Sequence, residues 1–255
     1  MSIQAEYIRE RDPSLRMITA VMIAVFITLI GYVAMTVGSS PTVKGASFIW
    51  LPAALQLVAG VWLGPWLGLL AGGLGAYAAG ILAYGGWGIV DIIMNPIAGG
   101  VANAMLPAIL FRMYRVDPTL GAQRPADVLS GVVKAVVLAI VVLVAGYLNR
   151  LLQLPGQWGF ILPLIALFVG ARVLLRSLAL NKASFLAAVG IAVVSCAASA
   201  LIGAIGATVG GKPFAAALVD PGIGWFIGDT ISAFLGLYLL AMFTQRARAA
   251  GIVAS

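Results

Sequence analysis

The chain contains no histidine and one cysteine, and only 9% of its 255 residues are charged. Each shortage excludes something. Without histidine, the commonest metal ligand and the commonest general base near neutral pH are missing. Cys196 alone forms no intrachain disulfide, so cysteine usage does not report on redox compartment. In its apolar run, Cys196 reads as a small packing residue. No CxxC, no HExxH and no acidic calcium-binding loop occurs. No segment is polar and long enough for a soluble catalytic, kinase or nucleic-acid-binding domain.

What the chain has instead is apolar length: 62% of residues are hydrophobic. A membrane span needs about 20 apolar residues to cross roughly 30 Å of hydrocarbon. Eight runs fit, at 17–37, 47–64, 66–84, 92–111, 128–149, 158–178, 183–209 and 222–244. The fold expected is therefore an all-α polytopic transmembrane bundle of about eight spans in a cell membrane. It divides into a cytoplasmic tail at 1–16, a helical membrane domain at 17–244 and a cytoplasmic tail at 245–255. The first run is longer than a signal-peptide core, and no small-residue cleavage site follows it. The run at 158–178 is the weakest, because Pro163 and two arginines disturb it.

The net charge of +7 follows from topology rather than from nucleic-acid binding. With the N-terminus cytoplasmic and the spans alternating, only Lys44, Arg150 and Lys212 of the 15 Lys and Arg fall outside. That is the bias expected when positive charge is retained inside. Small residues recur every fourth position at Gly60, Gly64, Gly68, Gly72, Ala76 and Gly80, with a tight turn at Pro65. A second stripe runs Ala183, Ala187, Ser195, Ser199, Gly203, Ala207. Such stripes let helix backbones approach closely in lipid, and packing within the chain is favoured over a dimer interface.

Polar groups in hydrocarbon are costly and therefore informative. Most map toward the external leaflet: Trp50 and Gln56 on span two, Asp91 and Asn95 at the start of span four, and Trp225 and Asp229 on span eight. Asn103 lies near the middle of span four. Asp229 stands out, about seven residues into its span and so roughly 10 Å along the helix. A lone carboxylate there tends to neutralise or to find a partner, and Arg150 and Lys212 are the outer-side candidates. One reading is a helix-to-helix bond that fixes the bundle. The other is a ligand-facing acid in a pocket open to the outside. Asp91 reads more simply as an interfacial residue. The six tryptophans mostly suit an interfacial aromatic belt, with Trp50 and Trp225 alone close enough to buried polar groups to suggest a pocket. Asn95-Pro96, Gly99-Gly100 and Pro107 predict an interrupted span four, a device that transport proteins use beside their sites. Asp229, Thr230 and Ser232 are a weak constellation for catalysis, and an enzyme has the least support.

Ile49-Trp50-Leu51-Pro52-Ala53-Ala54 and Gly64-Pro65 resemble the opening of the first MASE-type membrane-associated sensor domain. Asn103 partly matches that family's Gly-Asn helix, with Ala102 in place of the glycine. Arg124 to Leu129, Ser199-Ala200 with Gly203, and Trp225-Phe226-Ile227-Gly228-Asp229 resemble its later elements in order and rough spacing over about 46–243. The second proline of its WPP element is Ala53 here, one tryptophan stands where it has two, and its cytoplasmic output domain is missing. The resemblance implies eight spans and a sensory role. Gly64-Pro65-Trp66 and Gly228-Asp229-Thr230-Ile231-Ser232 also resemble substrate-binding subunits of energy-coupling-factor transporters. Those usually have six spans, so that likeness implies an inserted hairpin at about 128–178.

The expectation is a membrane-embedded binding or sensory module with an externally open small-molecule pocket, acting through a signalling enzyme or transporter subunits. The alternatives are an importer's substrate-capture subunit and a structural subunit of a larger complex. The site residues expected are Trp50, Gln56, Asp91, Asn95, Asn103, Trp225 and Asp229. No residue pattern identifies a cofactor, a metal or the ligand, and an apolar groove holding a pigment or lipid leaves no sequence signature.

Overall fold

The computed structural model describes residues 13–37, 49–85, 93–122, 126–152, 160–176 and 180–253. Among them every regular element is a helix, as a chain in lipid requires when its backbone groups must bond within their own segment. The helices are α1 (Pro13–Val37), α2 (Pro52–Leu63), α3 (Pro65–Tyr84), α4 (Asn95–Met113), α5 (Ala126–Leu151), α6 (Ile161–Arg176), α7 (Lys182–Val209), a one-turn α8 (Phe214–Ala217) and α9 (Gly224–Ala249).

Six of the eight predicted runs give helices long and apolar enough to cross a membrane. The runs at 47–64 and 158–178 give shorter helices. α2 has 12 residues and α6 has 16, about 18 and 24 Å at 1.5 Å per residue. Glycine and proline set the limits of α2. Pro52 opens it, and Gly64 closes it with φ of 93°, a conformation that costs glycine nothing. Pro65 then opens α3, where its missing N–H is no loss. α7 is opened by Asn181, whose Oδ1 accepts from the N–H groups of Ala183 and Ser184 at 3.1 and 3.2 Å.

Span four is not broken, as its prolines and glycines predicted, but rewound. Its middle, Ala98–Met105, is π-helical, between α-helical turns at Asn95–Ile97 and Leu106–Met113. Pro107 has no N–H to give and crowds the carbonyl four residues back. A wider winding relieves both problems without ending the helix.

Contacts between helix tips order the two ends of the bundle. The Arg16 guanidinium donates to the carbonyl of Leu63, and Trp62 Nε1–H donates to Thr244 Oγ1 at 2.9 Å. Arg248 pairs with Asp117 at 2.9 Å. Gln245 reaches the carbonyl of Ala122, and the Asn181 N–H that of Leu120. The start of α1, the ends of α2, α4 and α9, and the starts of α5 and α7 therefore share one end. This end carries Arg16, Arg112, Arg246 and Arg248. Trp62 belongs to this packing rather than to an aromatic belt, whereas Trp66 is exposed.

The small-residue stripe of α2 and α3 packs within the chain. A Cβ on Gly60 would lie 1.9 Å from the Ala104 carbonyl oxygen, and one on Gly72 2.6 Å from that of Gly99. The stripe of α7 packs only in its second half, because Ala183 and Ala187 are exposed. α5 and α6 pair with each other and reach the other helices chiefly through α9. The outward faces of α1 and α5 are apolar, with Val25, Phe26, Val137 and Ile140 all half exposed or more, as lipid-facing surface requires.

Candidate functional site

Four helices bring polar side chains together where hydrocarbon would otherwise fill the core. Gln56 comes from α2, Asn103 from the π-helical part of α4, Ser199 from α7 and Asp229 from the second turn of α9. Exposure is 0% for Gln56, 4% for Asn103, 1% for Ser199 and 2% for Asp229. Asn103 is the hub. Its Nδ2 lies 3.0 Å from Asp229 Oδ2, 3.2 Å from Gln56 Oε1 and 3.4 Å from Ser199 Oγ. An amide nitrogen has two protons, so the two shorter contacts take them. The Ser199 hydroxyl bonds the Asp229 carboxylate.

The close approach of the backbones makes this convergence possible. Gly99 has no side chain, and a Cβ there would meet Gln56 Nε2 at 2.6 Å and the Ala76 Cβ at 2.9 Å. The same Nε2 is buried and has no hydrogen-bond partner. A buried donor left without a partner costs about 1–3 kcal/mol.

Beside the cluster lies a narrow cavity of about 30 Å³. Asn103, Ser199 and Asp229 form its polar side, Trp50, Trp225 and Asn95 flank it, and Met35, Ala76, Ala98 and Gly99 complete it. A water needs about 10–15 Å³ measured in this way, so the cavity as it stands takes about two. Trp225 is seated by Gly203, where a Cβ would lie 2.5 Å from the indole. Trp50 is seated by Gly31, whose Cβ would lie 3.2 Å from the ring.

Six of the seven expected site residues thus converge. Trp50, Asn95, Asn103, Trp225 and Asp229 line the cavity, and Gln56 stands behind it in the hydrogen-bond cluster. Asp91 lies outside the described residues. Of the two cationic partners expected for Asp229, Lys212 is corrected. Lys212 pairs with Asp220 at 3.2 Å, in the π-helical stretch Leu218–Ile223 ahead of α9, where the Asp220 backbone itself is not helical. The side chain of Arg150 lies outside the described residues. Asp229 is instead held by an amide and a hydroxyl. The sequence reading missed Ser199 as a cluster member, having assigned it to a packing stripe. Its signal was a hydroxyl at a buried position of a long apolar helix.

Among the described residues no group of three or more Cys, Asp and Glu comes together to hold a metal ion. Comparison with protein-family models, curated proteins and solved structures yields no match.

Proposed function

We propose that the chain is a membrane-embedded binding module whose cavity at Asp229 receives the polar part of a small ligand from the external side. The single observation that carries this reading is the buried cluster itself: an acid without a cation among its described neighbours, and an unpaired amide donor, both beside a cavity. A hydrogen-bond donor on the ligand suits Asp229, and an acceptor suits Gln56 Nε2. Both termini lie in the cytoplasm in this reading, because the basic residues gather at the end away from the cavity. The chain then crosses eight times, with α2 and α6 as short crossings supported by their neighbours. The reading agrees with the resemblance to MASE-type sensor domains.

A ligand acts by its preference between two packings. The π-helical turn of α4 is the element best suited to such a change, since it carries Asn103 and faces glycine backbones. Rewinding it toward α-helix would move Asn103 relative to Asp229 and shift the α4 tip toward the basic end. A partner protein there, a signalling enzyme or transporter subunits, would read the shift.

One observation favours the second reading, a substrate-capture subunit of an importer. The cavity-lining residues come from α1, α3, α4, α7, α9 and the segment before α2, and none from the α5–α6 hairpin. With α2, which brings Gln56 behind the cavity, that is a six-helix site with an added hairpin. Purification from the native membrane in mild detergent, with mass spectrometry of proteins and small molecules, separates the readings. A signalling enzyme, or a bound small molecule without ATPases, is expected. Co-purifying ATPases would favour the importer, and a stoichiometric complex of neither kind would make the chain a structural subunit.

A further inference from the structure

A second, larger hollow lies against the first. It is a groove of about 660 Å³ between α1 and α5, floored by α9, with an almost wholly apolar lining. Ile30 and Val33 form one wall, Ala139 and Leu143 the other, and Leu235 part of the floor. Its walls are helices long and apolar enough to cross a membrane, so its open side faces hydrocarbon.

The groove and the polar cavity share a partition one residue thick. Ala34 lines the groove and Met35 the cavity; Ile49 and Leu51 line the groove while Trp50 between them lines the cavity. On α9, Asp229 lines the cavity and Ser232, one turn on, lines the groove. The Trp50 N–H donates to the carbonyl of Gly228 at 3.3 Å, and Ser232 Oγ donates to the same oxygen at 2.8 Å. One carbonyl on α9 therefore anchors the partition from both sides.

We infer that the site takes a single-chain amphiphile from the bilayer, with its polar head at Asp229 and its hydrocarbon chain in the α1–α5 groove. This rests on the proposed binding role of the Asp229 cavity and names the ligand class for it. The cavity alone is too small for more than a head group, and the groove alone offers no polar anchor. The groove runs along α5 from Ala135 to Leu143, about 12 Å at 1.5 Å per residue, so a hydrocarbon chain can lie along it. A partner helix would fill the groove without engaging the polar cavity on the other side of Trp50. Trp50 is the gate between the two compartments, since its indole rests on Gly31 rather than on a bulky side chain.

The test is photo-crosslinking in vesicles with a long-chain alkyl amine carrying a diazirine on its tail, compared with a short-chain amine as competitor. Labelling is expected on α1 and α5 along the groove. It should fall several-fold in Asp229→Asn and in Ala139→Phe, with the short-chain amine competing poorly. Val33→Trp, on the opposite wall, repeats the groove arm should Ala139→Phe fail to fold. Groove labelling that is unchanged by Asp229→Asn overturns the amphiphile, because ordinary annular lipid then fills the groove. If the short amine nevertheless protects the cavity in an Asp229-dependent way, the binding role survives without the amphiphile. If neither probe depends on Asp229, both fall.

Discussion

Polar residues serve differently at two places on α9, about 22 Å apart along the helix. At Thr244, Gln245 and Arg248 each bond joins one donor to one acceptor at a helix tip. At Asp229 the bonds share one hub amide, lie in the core of the bundle, and leave Gln56 Nε2 without a partner. The backbone differs in the same sense. At the tip end α4 is an ordinary α-helix, and beside Asp229 it is π-helical. Fixing helices in place needs only the first kind of contact. The second kind is costly, and that cost is the ground on which a ligand is proposed.

The largest expected effect breaks the site by its packing. Gly60→Ala drives a Cβ into the Ala104 carbonyl, a backbone group that cannot step aside. The cost is expected to exceed about 3 kcal/mol, the upper range for overpacking, read as lost yield or a collapsed melting temperature in detergent. Gly190→Ala on α7 meets nothing within 4 Å and should leave the melting temperature unchanged or slightly raised. Equal behaviour of the two variants would mean that the α2–α4 contact is not tight.

Removing the hub comes next. Asn103→Ala deprives Asp229 and Gln56 of their shared donor, at about 1–3 kcal/mol for each group left unpaired. Chemical denaturation and ligand retention should both suffer. Thr244→Val removes one bond at the tip end, so about 0.5–1.5 kcal/mol of stability is expected to go with ligand retention intact. A loss of ligand in Thr244→Val would erase the distinction between the two regions.

The smallest effect is a pH dependence at the tip end. Burial pushes the Asp117 carboxyl up, but hydrogen bonds from Thr119 and the Arg248 charge outweigh it and hold the group below its ordinary value. A depressed carboxyl contributes stability that is present above its unfolded value and is lost as pH falls through the folded one. The Asp117–Arg248 clamp should thus persist at neutral pH and weaken in acid below the usual carboxylate range. Both side chains are about half exposed, so the effect is small and screened by salt. Melting curves of wild type and Asp117→Asn should differ near neutral pH and converge in acid. A difference that grows in acid would contradict the assignment.

Much of this was legible in the chain because hydrocarbon punishes polarity. Asp229, Asn103, Gln56, Asn95 and the two tryptophans were marked simply by lying in apolar runs, and they do meet. The helices were legible for the same reason. Other features depend on three-dimensional partners. The pairing of Lys212 with Asp220, eight residues on, is set by the short helical stretches between them, which hydropathy does not register. The π-helical winding of α4 follows from Pro107 acting against glycine-packed neighbours, and the same residues read equally well as a break. α2 is short because Pro52 opens it five residues into the apolar run, with Ile49 to Leu51 left outside the helix, whereas its end at Gly64 and Pro65 was legible. Ser199 was hidden by its size, since a small residue on a stripe serves packing and hydrogen bonding alike.

The central claim is that the Asp229 cluster is kept for a ligand. Native mass spectrometry of wild type and Asp229→Asn, both purified from membranes in mild detergent and matched by melting temperature, tests it most directly. The account predicts a bound non-protein mass on the wild type that is missing from a variant of nearly equal stability. No bound mass on either protein, with a sharply lower melting temperature for Asp229→Asn, would contradict it and leave the cluster as a device for holding helices together.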